Sequence, residues 1–380
     1  MGSPRVVKNQ HACDGGEHVR DPIGRSSEHG LAPVHLLAGL PTEGVARAFD
    51  RVREVLSVRS FQEFVSSPLG EWSGTGVLLP PYLESSQLVE DWEAGGYLAT
   101  RFGDGVHIGS VVAVVDCERL AEQLRCADPI SAYGWGKSAY DSRTVADIVV
   151  GQVESATHLL GVGDLISWKA IGDILTVLNP RAARLSLDSV SDDRLLAQIS
   201  TPREGGGDRP SAVSARIVPP WLALLQSDVE STDPSEGFRY RRARPFDPER
   251  FGEWLSDPPT SLVRGKGNVW LANRWHESFG YSCAGSVHRV FPAGRWWADY
   301  GGATWPTCDT ARRRLLACWH PRFGDRRQDV VFTGVDLDIE EICSQLDSCL
   351  LCEAEALERL PSVGGAIEAG GVPPGGAGLH

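Results

Sequence analysis

Residues 34–46 read Val34-His35-Leu36-Leu37-Ala38-Gly39-Leu40-Pro41-Thr42-Glu43-Gly44-Val45-Ala46. The run Val34–Ala38 is apolar, as in a buried strand, and the spacing of apolar residues over Glu43–Leu56 predicts a helix. Gly39 and Gly44 stand in the loop between the strand and the helix. This is the local arrangement in which backbone N–H groups at the start of a helix bind phosphate.

The residues that give such a loop its chemistry are missing. A phosphate loop needs a lysine and a hydroxyl residue directly after its second glycine, and Val45 and Ala46 stand there. Glu43 adds negative charge beside any phosphate, so we expect tight binding and hydrolysis of Mg·GTP to be lost. The candidate nucleotide contacts of the loop are Gly39, Gly44, Val45 and Ala46. An ordinary strand-to-helix turn with two glycines explains the same residues.

The rest of the first half alternates strand-like and helix-like patterns. Val106–Val115 is the clearest strand and is ended by Asp116, while His158–Val162 has the pattern of a strand and Ile166–Leu178 that of a helix. This alternation predicts an α/β fold with a mostly parallel sheet. The loop at Gly39–Gly44 makes the sheet P-loop NTPase-like.

The second half has a different pattern. Strand-like and helix-like segments predict a smaller α+β domain over residues 236–360, and a Gly- and Pro-rich run indicates a linker at 205–235. The first domain then covers residues 31–204. The terminal segments 1–30 and 361–380 lack periodicity, and we expect them to be disordered. The strand-like segments of the second domain are Phe238–Arg244, Leu262–Leu271, Val287–Val290 and Asp329–Val335, and its helix-like segments are Pro248–Leu255 and Ile339–Leu351.

Composition limits the classes of partner. The 380 residues carry 37 basic and 50 acidic side chains, a formal charge of −13, which gives no generic attraction to nucleic acid. No run of apolar residues is long enough to cross a membrane, and residues 1–30 lack the apolar stretch of a signal peptide. We therefore expect a cytoplasmic protein without DNA or membrane as partners. The nine cysteines are too sparse for a disulfide framework.

Five blocks in the second half resemble, in order, the C-terminal domain of the CobW family. They are Arg244–Phe251, Val263–Ala272, Gly294–Ala298, Gly324–Phe332 and Leu346–Leu351. The resemblance implies that residues 236–360 are a CobW C-terminal domain and that residues 31–204 are a P-loop GTPase domain with a degenerate site. Of the family's guanine-reading motif only Asp164 remains, and its Cys-x-Cys-Cys metal motif is absent. Other blocks, Leu78–Glu84 and Arg143–Gln152, resemble an actinobacterial subgroup.

The resemblance implies a protein of zinc and metal homeostasis that acts through a protein partner and has no catalytic residue. One alternative is an active GTP-dependent zinc metallochaperone, a GTP hydrolase in which another residue replaces the missing lysine. A second alternative is a ribosome-associated factor that recruits a hibernation protein when zinc is scarce. GTP and zinc are the candidate ligands, and the missing lysine argues against GTP.

Two further features have competing explanations. Cys349 and Cys352 have the Cys-x-x-Cys spacing of zinc ligands, but at the end of an apolar helix they are also typical of core residues. Arginine-rich segments of the second domain alternate with tryptophans, a combination that can bind RNA but also occurs in solvated strands over an aromatic core. A loose group of N-terminal side chains could hold zinc weakly. It consists of His11, Cys13, His18, His29 and His35.

Overall fold

The computed structural model of the chain describes residues 32–66, 74–102, 106–200, 220–226, 237–300 and 305–352, together with residues 354, 355 and 358. The segments 1–30 and 361–380 lie outside these residues, as does most of the linker predicted at 205–235. The boundaries proposed for the two domains stay predictions. Within the described residues, none of the helices has the length and apolar character needed to cross a bilayer.

A six-stranded sheet forms the first half of the described chain, and all its neighbouring strands are parallel. Its strands are β1 (Ala32–Ala38), β2 (Val58–Ser60), β3 (Thr75–Leu78), β4 (Val106–Asp116), β5 (His158–Val162) and β6 (Ala183–Ser186). They lie in the order β2-β3-β1-β4-β5-β6. Because the central strands are parallel, the loops that follow β1, β4 and β5 meet at one edge.

Helices cover both faces of this sheet. They are α1 (Glu43–Val55), α2 (Phe61–Ser66), α3 (Ser85–Glu93), α4 (Tyr97–Phe102), α5 (Leu120–Gln123), α6 (Val145–Glu154), α7 (Leu165–Ala170), α8 (Gly172–Leu178) and α9 (Asp192–Ser200). In β4, Val112 and Val114 pack towards α1 and α9, whereas Ala113 and Val115 pack towards α6 and α8. Burial on both faces explains why β4 is an almost unbroken apolar run.

The second half forms a five-stranded antiparallel sheet with the strand order β10-β9-β8-β11-β7. Its strands are β7 (Phe238–Arg242), β8 (Leu262–Val269), β9 (Glu277–Ala284), β10 (Val287–Arg295) and β11 (Gln328–Gly334). The helices of this half are α10 (Pro220–Gln226), α11 (Pro248–Ser256), α12 (Asp309–Ala317) and α13 (Ile339–Ser348). One face of the sheet packs on α11 and α13 through aromatic side chains such as Tyr240, Phe251 and Phe332.

The predicted fold class, a parallel α/β sheet followed by a smaller α+β domain, is confirmed. Individual elements differ from the prediction. The helix expected over Ile166–Leu178 is two helices, because the backbone leaves helical geometry at Ile171 and a new helix begins at Gly172. Strand β9 was not predicted, although Phe279, Tyr281 and Cys283 alternate with Ser278, Gly280 and Ser282 as in a half-buried strand.

Helix α6 joins the two halves. At its last residue, Glu154 accepts hydrogen bonds from Arg264 of β8, with Nε–Oε1 at 2.7 Å and Nη2–Oε2 at 3.2 Å. Both side chains are only 8% exposed, and the indole of Trp221 in α10 donates a further bond of 2.9 Å to Glu154. Around this pair the residues Val263, Ala284 and Val287 of the antiparallel sheet belong to the same apolar cluster as α6 and α8. The two sheets therefore share one core.

Glu154→Gln is expected to destabilise the chain by about 3–5 kcal/mol, because it leaves the Arg264 guanidinium buried without its counter-charge. Urea unfolding monitored by tryptophan fluorescence measures this. The control is Arg53→Ala, which removes the exposed pair of Arg53 with Asp50 and should cost less than about 1 kcal/mol. Equal effects of the two variants would contradict a structural role for the buried pair.

A buried histidine stands in the middle of the parallel sheet. His35 of β1 is 1% exposed, and its Nδ1 lies 2.8 Å from Ser110 Oγ of β4. Burial, and then the nearby charges of His158 and His107, lower the pKa of His35 to about 4. The folded state therefore holds the neutral ring.

Acid should destabilise the fold through His35. A histidine whose pKa is lowered on folding contributes stability that is fully present above about pH 6.5 and is lost as the pH falls towards 4. The expected loss is about 3 kcal/mol at pH 4. Unfolding free energies of the wild type and His35→Gln at pH 7 and pH 4 check this, because the variant lacks the titrating ring and should lose less. Equal losses would contradict it.

Candidate functional site

The candidate site lies where the carboxyl ends of β1, β4 and β5 meet. The loop after β1 runs from Gly39 to Thr42, the turn after β4 begins at Asp116, and Gly163 and Asp164 follow β5. In sheets of this type, ligands bind in the crevice outside these strand ends. The structure brings the loop predicted from sequence to this edge, together with Asp116 from a distant part of the chain.

Thr42 caps helix α1. Its Oγ1 accepts a hydrogen bond of 3.2 Å from the Val45 N–H and donates one of 2.8 Å to Oδ2 of Asp116. The cap fixes the entry of the chain into the helix and partners the Val45 N–H, one of the backbone groups that a phosphate would use. The carboxylate also packs on the first turn, since a Cβ built on Gly44 would lie 3.2 Å from Asp116 Oδ2. The protein's own anion therefore lies at the helix N-terminus.

Apolar side chains fill the interior of the loop. Leu40 and Val45 are 3% and 2% exposed, so the residue in the lysine position points into the core. A Cβ built on Gly39 would lie 2.8 Å from Val45 Cγ1, which shows how closely the loop covers this side chain. The cavity left beneath them, next to Gln152 of α6, is about 10 Å³, room for at most one water molecule. No cation of the described residues lines this cavity.

A second cleft lies beside the start of α1. It measures about 140 Å³ and is lined by Gly44, by Val162 and Gly163, and by five charged residues. The charged side chains are Glu43, Arg47, Asp116, Glu118 and Arg119. Three carboxylates against two guanidiniums give the lining a formal charge of −1. Pockets for small ligands usually measure about 300–1,000 Å³, so this cleft is too small to enclose a nucleoside triphosphate.

Asp164, the remaining residue of the predicted guanine-reading motif, caps helix α7. Its Oδ1 accepts a hydrogen bond of 2.7 Å from the Ser167 N–H, and this backbone hydrogen bond lowers the pKa of Asp164. The side chain is exposed beside Gly163 of the cleft. Its assignment to guanine recognition stays a prediction.

Arg143 ties two loops of the first half together. Its guanidinium donates to Asp141, to Glu84 at 2.7 Å and to the Tyr82 carbonyl oxygen at 2.8 Å. The hydrogen bonds from Arg143 lower the pKa of Asp141. The contacts with Glu84 and Tyr82 were not predicted from the sequence, because these residues lie 59 and 61 positions from Arg143.

The two candidate metal ligands lie in different environments. Cys349 ends α13, is 3% exposed, and its thiol lies 3.3 Å from the Gln345 carbonyl oxygen. Burial raises the pKa of the Cys349 thiol, which favours the protonated form over the thiolate that binds zinc. Cys352 is exposed. Across the described part of the chain, no three His, Cys, Asp or Glu side chains are grouped to hold a metal ion. The N-terminal His and Cys candidates, except His35, lie outside the described residues.

Comparison with known proteins finds a family match in the second half of the chain. Residues 235–350 match the family model of the cobalamin synthesis protein cobW C-terminal domain. The zinc-regulated GTPase metalloprotein activator 1 of Dictyostelium discoideum is 29% identical over 265 residues, which cover 67% of this chain and 54% of that protein. The zinc chaperone Rv0106 of Mycobacterium tuberculosis is 29% identical over 254 residues, 66% of this chain and 58% of that protein. The chain thus spans little more than half the length of these curated relatives.

Among solved structures, the Zn(II)-bound YjiA GTPase from E. coli aligns with 84% of this chain and 99% of its own. The sequence identity is 13% and the TM-score is 0.29, a value too low to support any argument about the site.

Thr42→Val should lower stability by about 1–2 kcal/mol, since it removes the helix cap and leaves the Asp116 carboxylate without its hydroxyl donor. Thr42→Ser keeps the hydroxyl and is the matched control, with an expected change below about 0.5 kcal/mol. Urea unfolding of both variants measures the difference. A Thr42→Val protein as stable as the Ser variant would show that the cap does not hold the loop.

Proposed function

Because the chain carries a CobW C-terminal domain, we propose that it is a CobW-type protein of zinc homeostasis that binds a partner and does not hydrolyse GTP. The observation that supports this most directly is the burial of Val45, which stands in the lysine position and is only 2% exposed. The side chain that a GTPase directs at the β- and γ-phosphates is here packed into the core.

Phosphoryl transfer depends almost entirely on positioning and on cations that neutralise charge in the transition state. In this loop the lysine position is Val45, buried in the core, and the Mg²⁺ position is Ala46, which lacks a hydroxyl. Glu43 adds another carboxylate to the adjoining cleft. The geometry and the charge of the site both disfavour Mg·GTP.

The link to zinc comes from the relatives, one named a zinc-regulated GTPase metalloprotein activator and one a zinc chaperone. The described residues do not fit a zinc cage, because no three ligand side chains are grouped and Cys349 is a buried thiol. We therefore assign the role in zinc homeostasis to partner binding, with the antiparallel domain as the platform.

The competing function is a GTP-dependent zinc metallochaperone in which other cations replace the lysine. Arg47 and Arg119 favour it, since both guanidinium side chains line the cleft next to Gly44. This alternative requires the cleft, now about 140 Å³, to widen.

Isothermal titration of the full chain with GTP and Mg²⁺ distinguishes the two functions. We expect no saturable binding below about 1 mM, because no cation of the loop can contact the phosphates. Micromolar, Mg²⁺-dependent binding would overturn the proposal. If such binding were weakened in Arg47→Ala and Arg119→Ala but not in Arg194→Ala, an exposed arginine of α9 away from the cleft, the metallochaperone function would be supported instead.

A further inference from the structure

The two faces of the antiparallel sheet differ in chemistry. The face towards α11 and α13 is aromatic and buried, with Tyr240, Tyr281 and Phe332 at its centre. The opposite face carries most of the basic side chains of the sheet, and only part of it is covered. Its basic residues are Arg239 and Arg241 of β7, Arg264 and Lys266 of β8, Arg289 of β10, and Arg327 at the entry to β11.

One row of paired residues crosses all five strands on this basic face. The pairs are Phe291 with Gly280, Gly280 with Asn268, Asn268 with Asp329, and Asp329 with Arg241. Residues directly opposite each other in neighbouring strands share a face, so these five positions form a single line, called here the Asn268 row. With strands about 4.8 Å apart, the row spans about 19 Å.

One end of the row is an arginine cluster around a single carboxylate. Arg239 binds Asp329 through two nitrogens, at 2.6 and 3.0 Å, and Arg327 Nε lies 2.9 Å from its Oδ2. Arg241 lies 3.5 Å from the same oxygen and keeps 38% of its side chain exposed. Among the described side chains, three guanidiniums thus share this one carboxylate.

The pKa of Asp329 reflects this excess of positive charge. Burial alone would raise the pKa, but the hydrogen bond from Arg239 and the charges of Arg327 and Arg241 hold it below the usual value for aspartate. Asp329 therefore stays ionised, and the cluster still has positive charge that the carboxylate does not neutralise. Arg241 faces solvent, so a second anion can reach it.

The other end of the row is an exposed aromatic ring. Phe291 of β10 is 43% exposed, and its ring lies over Gly280, where an added Cβ would come within 2.4 Å of it. Glycine at this position lets the ring lie against the sheet. The side chain of Asn268, between the ring and the arginines, is exposed as well. The ring of Phe291, the amide of Asn268 and the arginine cluster thus lie along one row of the sheet.

The cover on the basic face stops short of this row. Trp221 of α10 lies 5.9 Å from both the Arg264 guanidinium and the Lys266 ammonium group. These are the residues four and two positions before Asn268 in β8. Within the described part of the chain, the helix therefore packs over the neighbouring rows, and Phe291, Asn268 and Arg241 of the Asn268 row keep exposed surface.

We propose that the Asn268 row binds single-stranded RNA, with phosphate on Arg241 and Arg327 and a base stacked on Phe291. Proteins that hold single strands combine cations that follow the backbone with aromatic rings on which bases stack, and sheet faces serve as such platforms. The exposed amide of Asn268 can donate to and accept from a base edge between the two ends. An acidic peptide would use the arginine cluster but would gain little from the exposed ring and the amide in line with it.

This inference rests on the proposed function, because it names the surface and the chemistry of the partner for the antiparallel domain. The proposed function and the RNA-binding inference can be disproved independently of each other. GTP binding tests the parallel-sheet site, whereas RNA binding tests a row in the other sheet.

Fluorescence anisotropy of a labelled oligouridylate with the full chain tests the proposal. Arg241→Ala and Phe291→Ala should each weaken binding at least about fivefold, whereas Arg194→Ala, an exposed arginine on α9, should not. The salt dependence separates the two ends of the row. The slope of log K against log salt should fall by about 0.7 in Arg241→Ala, remain in Arg241→Lys, and remain in Phe291→Ala. Thermal melting confirms that each variant is folded.

Three outcomes would overturn the proposal. The first is no binding of oligouridylate at low salt. The second is equal weakening by Arg194→Ala, which would mean that net charge alone is responsible. The third is competition by polyglutamate as strong as by RNA, which would assign the row to an acidic protein. Preference for oligouridylate over the matching oligodeoxynucleotide would add that the 2′-hydroxyl is recognised.

Discussion

The buried pair of Glu154 and Arg264 determines how the two halves of the molecule are joined. A carboxylate and a guanidinium taken out of water must stay together, because either one alone would be strongly destabilising. The pair fixes the last turn of α6 against β8, and at the other end of the same helix Asp147 accepts a bond of 2.9 Å from Arg289 of β10. Helix α6 is thereby held at both ends by the antiparallel sheet.

The same helix also supports the candidate site. Val149, Gln152 and Val153 of α6 line the small cavity under Leu40 and Val45. Apolar packing of the loop therefore continues through α6 into the core that both sheets share. Replacing Val45 with lysine would place a charge in this packing and should destabilise the fold. The apolar residue at this position thus supports the core that both sheets share.

Local patterns in the sequence predicted the strand–loop–helix unit at Gly39–Gly44, the long strand β4 and the α+β character of the second half. These features depend on neighbours in sequence and on apolar periodicity. The position of Asp116 could not be predicted, because its contact with Thr42 spans 74 residues and arises from the parallel order of β1 and β4. For Asp116 itself, the one signal in the sequence is its place at the end of a long apolar strand. Strand β9 does have a local signal, since Phe279, Tyr281 and Cys283 alternate with small residues.

In the arginine-rich segments, ion pairs and burial reduce the number of arginines and tryptophans that are available to bind RNA. The tryptophans that alternate with them are partly core residues, such as Trp296 at 6% exposure, and Arg242 is paired with Asp347. The basic and aromatic groups that share a surface are Arg241 and Phe291, which lie 50 residues apart and meet only through the order β10-β9-β8-β11-β7. A chain of net charge −13 can thus present a local arginine cluster at one end of the Asn268 row. Because the net charge of the chain repels polyanions, binding would depend on the row itself and not on general electrostatic attraction.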